Sequence, residues 1–178
     1  MKADSIKQRF TEVYNAQSDA IFRYCLFRIS NYDSATDLTA DTFMKFWDAL
    51  SKGKDIQNDR AFIFMIVRNL VIDFYRKKKT ISLDAILEEN EEHSFMASGD
   101  FLKEEVDMTS EARFVMDKIK ELPPADHQII YLRFVEDLKP KEIAEILGVS
   151  ANVVSVRIIR GIEKLRRIAG YGIEVKDQ

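Results

Sequence analysis

Apolar residues recur at three- and four-residue spacings along most of the chain, a period that predicts helices and an all-α protein. In SIKQRFTEVYNAQSDAIFRYCLFRIS, Phe10, Val13, Tyr14, Ile21, Tyr24 and Cys25 fall at helical spacings with charges between them. The next stretch, NYDSATDLTADTFMKFWDALSKGKD, places Leu38, Phe43, Phe46, Trp47 and Leu50 on one apolar face. Ser34 or Thr36 is its expected N-cap and Gly53 its stop, and Trp47 is expected to be buried. After the polar loop KGKDIQND, RAFIFMIVRNLVIDFYRKKK predicts one long helix from about Asp59 to Lys79. Its first half is apolar nearly all round, so it belongs at the centre of its unit.

The period fades over residues 80–109, where acids, Ser, Asn and Gly accumulate, and a flexible acidic linker is expected there, with one helical turn near Leu83 to Leu87. Periodicity returns from Ser110. SEARFVMDKIKEL reads as a helix, and LPPADHQIIYLRFVED restarts one with Pro124 in its first turn. KEIAEILGVSANVVSVRIIRGIEKLRR then reads as a helix-turn-helix. Ile143, Ala144, Ile146 and Leu147 face inward, Gly148 makes a left-handed turn, Val149 plugs the core and Ser150 caps the second helix. Val154, Ile158, Gly161 and Leu165 form the buried stripe of that helix, with Gly161 allowing close helix packing. Opposite it, Ala151, Asn152, Ser155, Val156, Ile159 and Arg160 are free to enter a major groove. The expected organisation is therefore two small helical domains, 1–79 and 110–170, an intervening linker and a tail, 171–178.

Composition narrows the chemistry. The 178 residues include 6 Gly, 3 Pro and a single cysteine, Cys25, whose apolar neighbours predict a buried, unreactive thiol. The start, MKADSIKQRF, lacks the apolar core of a secretion signal, and the longest apolar run, Ala61 to Val67, is too short for a bilayer. A cytoplasmic protein without membrane insertion is expected. His93 and His127 are isolated, and no metal-ligand spacing, phosphate-cradling glycine loop or nucleophile elbow occurs. Neither metal, cofactor, small-molecule substrate nor enzymatic activity is expected.

Overall the chain carries 27 Lys+Arg against 30 Asp+Glu, but the balance is uneven. Residues 1–79 hold 14 basic and 10 acidic side chains, whereas residues 80–110 hold one basic and nine acidic. Residues 111–178 hold 12 basic and 11 acidic. Both ends are thus positive and the middle is negative. The RKKK run, Arg76 to Lys79, has two readings: cations that favour a helix C-terminus, with Asp73 able to pair with Arg76 or Lys77, or a track for phosphate. Phe74 and Tyr75 sit beside it, at a spacing more usual for core than for base stacking.

In order along the chain, DLTADTFMKFWDAL, RAFIFMIVRNLVIDFYRKKK, LPPADHQIIYLRF and KEIAEILGVSANVVSVRIIRGIEKLRR resemble the extracytoplasmic-function branch of bacterial sigma-70 factors. The resemblance implies a two-domain subunit that binds core RNA polymerase at its clamp and flap regions, directs it to promoter DNA and helps open the duplex. By position it implies a polymerase-binding face of Asp37, Leu38, Asp41, Phe43 and Trp47. It assigns the minus-ten element to Lys52, Lys54, Asn58, Arg60, Arg68, Asn69, Arg76, Lys77, Lys78 and Lys79. It assigns the minus-thirty-five element to Ser150, Asn152, Ser155, Arg157, Arg160 and Lys164. It further implies an anti-sigma factor as partner, which can hold the chain near the membrane, and a linker that threads the channel of the polymerase. The family commonly has Gln-Glu where this chain has Ala40-Asp41, and often a Lys at Ser155 and a polar residue at Ile159. Fewer cations on the reading helix imply a smaller phosphate contribution to affinity. From residues alone, three rivals stand beside this reading: a free-standing helix-turn-helix regulator, a decoy for an anti-sigma factor, and a recombinase.

Overall fold

A computed structural model describes residues 2–83 and 109–170 of the chain, and every regular element among them is an α-helix. The chain divides into two compact units, Met1–Val106 and Asp107–Gln178. Most of the acidic segment and the tail 171–178 lie outside the described residues, as does nearly all of the helical turn expected near Leu83 to Leu87.

Unit 1 packs three helices against one another: α1 (Lys2–Ile29), α2 (Tyr32–Ser51) and α3 (Asp59–Leu83). Its core joins Ile21, Tyr24, Cys25 and Leu26 of α1 to Phe43, Phe46 and Leu50 of α2 and Ile63, Phe64, Val67 and Val71 of α3. Burying each large apolar side chain contributes about 1.5–3 kcal/mol, which is what holds so small a bundle together. Tyr24 meets the edge of Phe64 at 5.8 Å between ring centroids. In the first half of α3, Ala61, Ile63, Phe64 and Val67 are buried while Phe62 and Met65 are half-buried, as its near-continuous apolar run predicts. The thiol of Cys25 is sealed in this core, where burial pushes its pKa up to about 12 against the opposing pull of a hydrogen bond with Thr39.

Two boundaries differ from the sequence reading. Neither Ser34 nor Thr36 caps α2; Asn31 does, its side chain accepting the Ser34 amide at 2.8 Å. The helix can start this early because Ser30 takes a left-handed φ of 54° and turns the chain sharply out of α1. At the other end, α3 runs on to Leu83 rather than stopping at Lys79. The segment Thr80 to Leu83 contains neither Gly nor Pro, so nothing local breaks the helix there. The stop expected at Gly53 is present: α2 ends at Ser51 and Gly53 has φ 69°.

Unit 2 consists of α4 (Ser110–Lys120), α5 (Pro124–Phe134), α6 (Pro140–Leu147) and α7 (Ala151–Ile168). Ile119, Leu122, Ile129, Ile130, Tyr131, Leu132, Ile143, Ile146 and Val154 fill its core. Pro124 occupies the first turn of α5, and Thr109 caps α4 by accepting the Ala112 amide at 3.2 Å. The buried Tyr131 hydroxyl and Glu136 carboxylate satisfy each other at 3.0 Å. α7 crosses α5 at Gly161, where a Cβ atom would stand 2.8 Å from Ile130 Cγ1 and 2.9 Å from its Cδ1. Only glycine permits this approach.

Candidate polymerase and nucleic-acid interfaces

On α2 the helical period separates two faces. Ala35, Leu38, Thr42, Phe43, Phe46 and Leu50 are buried, whereas Asp37, Asp41, Met44 and Asp48 are exposed on the other side. The five residues assigned to polymerase binding therefore do not share one surface. Asp37 and Asp41 project outward; Leu38 and Phe43 point into the core and can only set the helix position. Trp47 is 41% exposed, contrary to the burial expected for it. It lies at the edge of the apolar stripe, in T-shaped contact with Phe10 at 5.2 Å between ring centroids and partly open to solvent. With Met44 one turn away and 68% exposed, Trp47 makes an apolar spot beside two carboxylates.

The loop between α2 and α3 is fastened at three points. Ile56 is buried in the bundle, and Asn58 caps α3 through its side-chain oxygen, 3.0 Å from the Ala61 amide. Arg9 of α1 then grips the loop's end with a bidentate pair to Asp59, at 2.7 and 2.9 Å, and a further bond to the Ile56 carbonyl at 2.8 Å. The hydrogen bond to Asp59 pushes the Arg9 guanidinium further up from its already high pKa. Nothing in local sequence pattern pairs residues fifty apart, so Arg9 went unpredicted. Fastened in this way, the loop presents Lys52, Lys54 and Gln57 as exposed groups. Lys52 pairs with Asp48 at 2.6 Å, and the Lys54 ammonium sits 4.6 Å from the centre of the Phe62 ring.

Along α3, Arg60 and Arg68 are half-buried and Asn69 is exposed, with 3.3 Å between Arg68 Nη1 and Asn69 Oδ1. Asp73 pairs with Arg76 at 3.5 Å rather than with Lys77. Lys77 and Lys78 are exposed, so the helix carries a cationic strip beyond Asp73; the side chain of Lys79 is outside the described set. Phe74 and Tyr75 are half-buried, and the Tyr75 hydroxyl donates to the Arg28 carbonyl, which ties this end of α3 to α1. Tyr75 is thereby structural.

In unit 2 the turn between α6 and α7 has the predicted chemistry. Gly148 adopts φ 68° and ψ 34°, and the Ser150 hydroxyl accepts the Val153 amide at 3.3 Å. The Lys139 amide donates to Glu142 at 2.8 Å and so fixes the start of α6. Val149 does not plug the core; it is 37% exposed. Its amide already closes the turn on the Ala144 carbonyl at 3.1 Å, and Ile143, Ile146 and Val154 fill the interior without it.

On α7 itself, Asn152 and Arg160 are exposed, while Ser155 and Arg157 are half-buried. The Ser155 hydroxyl donates to the Ala151 carbonyl at 2.9 Å. Lys164 is engaged differently from its assignment: its ammonium pairs with the buried Asp126 of α5 at 2.5 Å. This pair lies beside the Gly161 crossing and braces α7 on α5. Arg157 and Arg160, by contrast, have no acidic partner among the described residues. An apolar groove of about 540 Å³ runs between α4 and the end of α7, walled by Phe114, Val115, Leu165 and Ala169.

Among the described residues no group of His, Cys, Asp and Glu could hold a metal ion, and no helix is long and apolar enough to cross a membrane.

Comparison with known proteins gives these surfaces a family. The sigma-70 region 2 family model matches residues 13–81, and the sigma-70 region 4 model matches residues 119–167. The RNA polymerase sigma factor SigZ of Bacillus subtilis is 32% identical over 147 residues, 82% of this chain and 78% of that protein. SigV of the same organism is 30% identical over 145 residues, 82% of this chain and 81% of that protein. The ECF RNA polymerase sigma factor SigW, also of Bacillus subtilis, is 28% identical over 163 residues, 89% of this chain and 87% of its own length. Among solved structures, the sigma factor RpoE of Bartonella quintana, crystallised with the anti-sigma factor NepR, matches at 20% identity with a TM-score of 0.68. That match covers 96% of this chain and 99% of the other. CnrH, solved with the cytosolic domain of CnrY, matches at 22% identity with a TM-score of 0.65, over 96% and 95% of the two chains. These two likenesses concern the fold. The chain belongs to the extracytoplasmic-function branch of the sigma-70 family of RNA polymerase sigma factors.

Proposed function

We propose that the chain is an alternative sigma factor, a non-catalytic specificity subunit that binds core RNA polymerase, brings it to particular promoters and helps open the DNA. One observation carries the reading: a single chain holds, in order, a matched region 2 unit and a matched region 4 unit with a capped helix-turn-helix. The outer face of α2, with Asp37, Asp41, Met44 and Trp47, is the surface offered to the polymerase clamp, and Leu38 and Phe43 hold that face in place from behind. In unit 2 the groove of Phe114, Val115 and Leu165 is the surface offered to the flap. The Lys52 to Asn58 loop, with Arg60, captures an unstacked base of the minus-ten element. Arg68, Asn69 and the cationic strip from Arg76 to Lys79 follow its backbone. Extraction of a base from the stack costs a few kcal/mol, and a loop already fastened by Arg9 loses little further freedom in opposing that cost. Asn152, Ser155, Arg157 and Arg160, on a helix capped by Ser150, face the minus-thirty-five element; Lys164 serves the fold.

The chain works in the cytoplasm, and an anti-sigma factor restrains it, near the membrane where that factor is itself anchored. Support comes from a protein of like fold, the sigma factor RpoE, which was solved with an anti-sigma factor. Run-off transcription with purified bacterial core polymerase tests the whole reading. Promoter-dependent transcripts that require the added chain are the expected result. Core polymerase that starts no transcript in its presence would contradict it and favour a decoy or a free-standing regulator.

A further inference from the structure

The outward strip of α7 is apolar at its centre. Asn152, Val156 and Ile159 follow one another at i, i+4 and i+7, on the side away from the buried Val154 and Gly161. Val156 is 39% exposed and Ile159 60%, the most exposed large apolar side chain described in unit 2. Packing within the unit does not explain the two residues, since they turn away from its core. One margin is cationic: Arg160 and, further round, Arg157 stand on the same side of the strip, without acidic partners among the described residues. One turn further along the same strip stands the exposed carboxylate of Glu163, which would repel phosphate. The usable surface is therefore about two helical turns long, apolar along its midline and positive along one edge.

That charge pattern fits the major groove of DNA better than another protein helix, because the arginines lie together where one phosphate backbone runs beside the strip. On the floor of that groove most base-edge groups donate or accept hydrogen bonds, and the C5-methyl of thymine offers an apolar contact. An apolar side chain set against the polar edges would leave desolvated donors and acceptors without partners. We infer that Val156 and Ile159 read thymine methyl groups, so that the upstream element recognised by this chain carries thymine, on one strand or the other, at the two steps they face. Asn152 beside them has the paired donor and acceptor that match adenine, and so favours A·T steps in the same stretch. The inference rests on α7 being the DNA-reading helix and adds the bases it reads.

The test replaces thymine by deoxyuridine, which removes the methyl and keeps base pairing. Promoters are first selected in vitro with holoenzyme assembled from core polymerase and the full chain. Each thymine of the upstream element is then replaced singly, on each strand, and open-complex formation is measured. Two positions should lose about fourfold each, the effect of one buried methyl. V156A should abolish the response at one position and I159A at the other, with unchanged thermal midpoints because both side chains are exposed. Absence of any uracil-sensitive position, or sensitivity that survives both substitutions, would overturn the inference while leaving promoter-dependent transcription standing. Loss of core-polymerase binding in V156A and I159A without uracil sensitivity would overturn it too, by assigning the strip to a protein contact. Selection that yields no promoter at all would instead remove the reading of α7, and this inference with it.

Discussion

At Gly161 a missing side chain decides how closely two helices approach. An alanine there gains about 1 kcal/mol in helix propensity, but its methyl would meet Ile130, which is 1% exposed and has no room to retreat. Overpacking costs about 1–3 kcal/mol, so G161A should lower stability by a net ~1 kcal/mol, read as the urea midpoint; a rise would contradict the close contact. Cys25 offers a second check. With its pKa pushed up to about 12 from 9.0 in the free thiol, the native protein should resist alkylation at pH 8 and react on unfolding. Because the folded value is the raised one, the stability linked to this group is present in full below pH 9 and is lost as pH climbs towards 12. The third concerns two cations one turn apart on one helix, about 6 Å of rise at 1.5 Å per residue. Arg160 has no acidic partner among the described residues, whereas Lys164 pairs with Asp126. R160Q should reduce the salt slope of holoenzyme–promoter binding by about 0.9, one phosphate contact, and K164Q should leave the slope unchanged. Equal effects would return Lys164 to the DNA face.

Among the elements, the fastened loop between α2 and α3 is the one whose shape depends on distant chain. R9A removes a bidentate pair and a bond to the Ile56 carbonyl, and should cost about 1 kcal/mol after allowance for the partial exposure of the guanidinium. Hydrogen exchange at Lys54 to Asn58 should quicken, and permanganate-detected promoter opening should fall more than formation of the closed complex. Unchanged opening would separate the loop from melting. Features set by neighbours in sequence were legible before the structure: the Pro124 start, the Gly148–Ser150 turn and the Gly53 stop each need only the residues beside them. Those set by position within a bundle were not. Trp47 and Val149 are apolar by type, yet both lie at the margin of a packed face, where periodicity cannot distinguish edge from interior. The site assignments divide in the same way. Helical phase separates Asp37 and Asp41 from Leu38 and Phe43, and the cap made by Asn58 is local, while the Asp126 partner of Lys164 becomes visible only in three dimensions.

For the whole molecule, charge governs how the surfaces act. Residues 1–79 have a net charge of +4, residues 80–110 of −8 and residues 111–178 of +1. A central segment so negative opposes approach to DNA, and Ser155 and Ile159 add no cation to the outward face of α7. Two weak DNA-binding units become selective when both are seated on polymerase, because the second contact is then made at high effective concentration. The most direct measurement is the affinity of the full chain for one selected promoter fragment, across a range of salt, with and without core polymerase. The account predicts weak binding by the free chain, little better than to scrambled DNA, and tight, promoter-specific binding once polymerase is added. Tight and specific binding by the free chain, or no gain from polymerase, would contradict it.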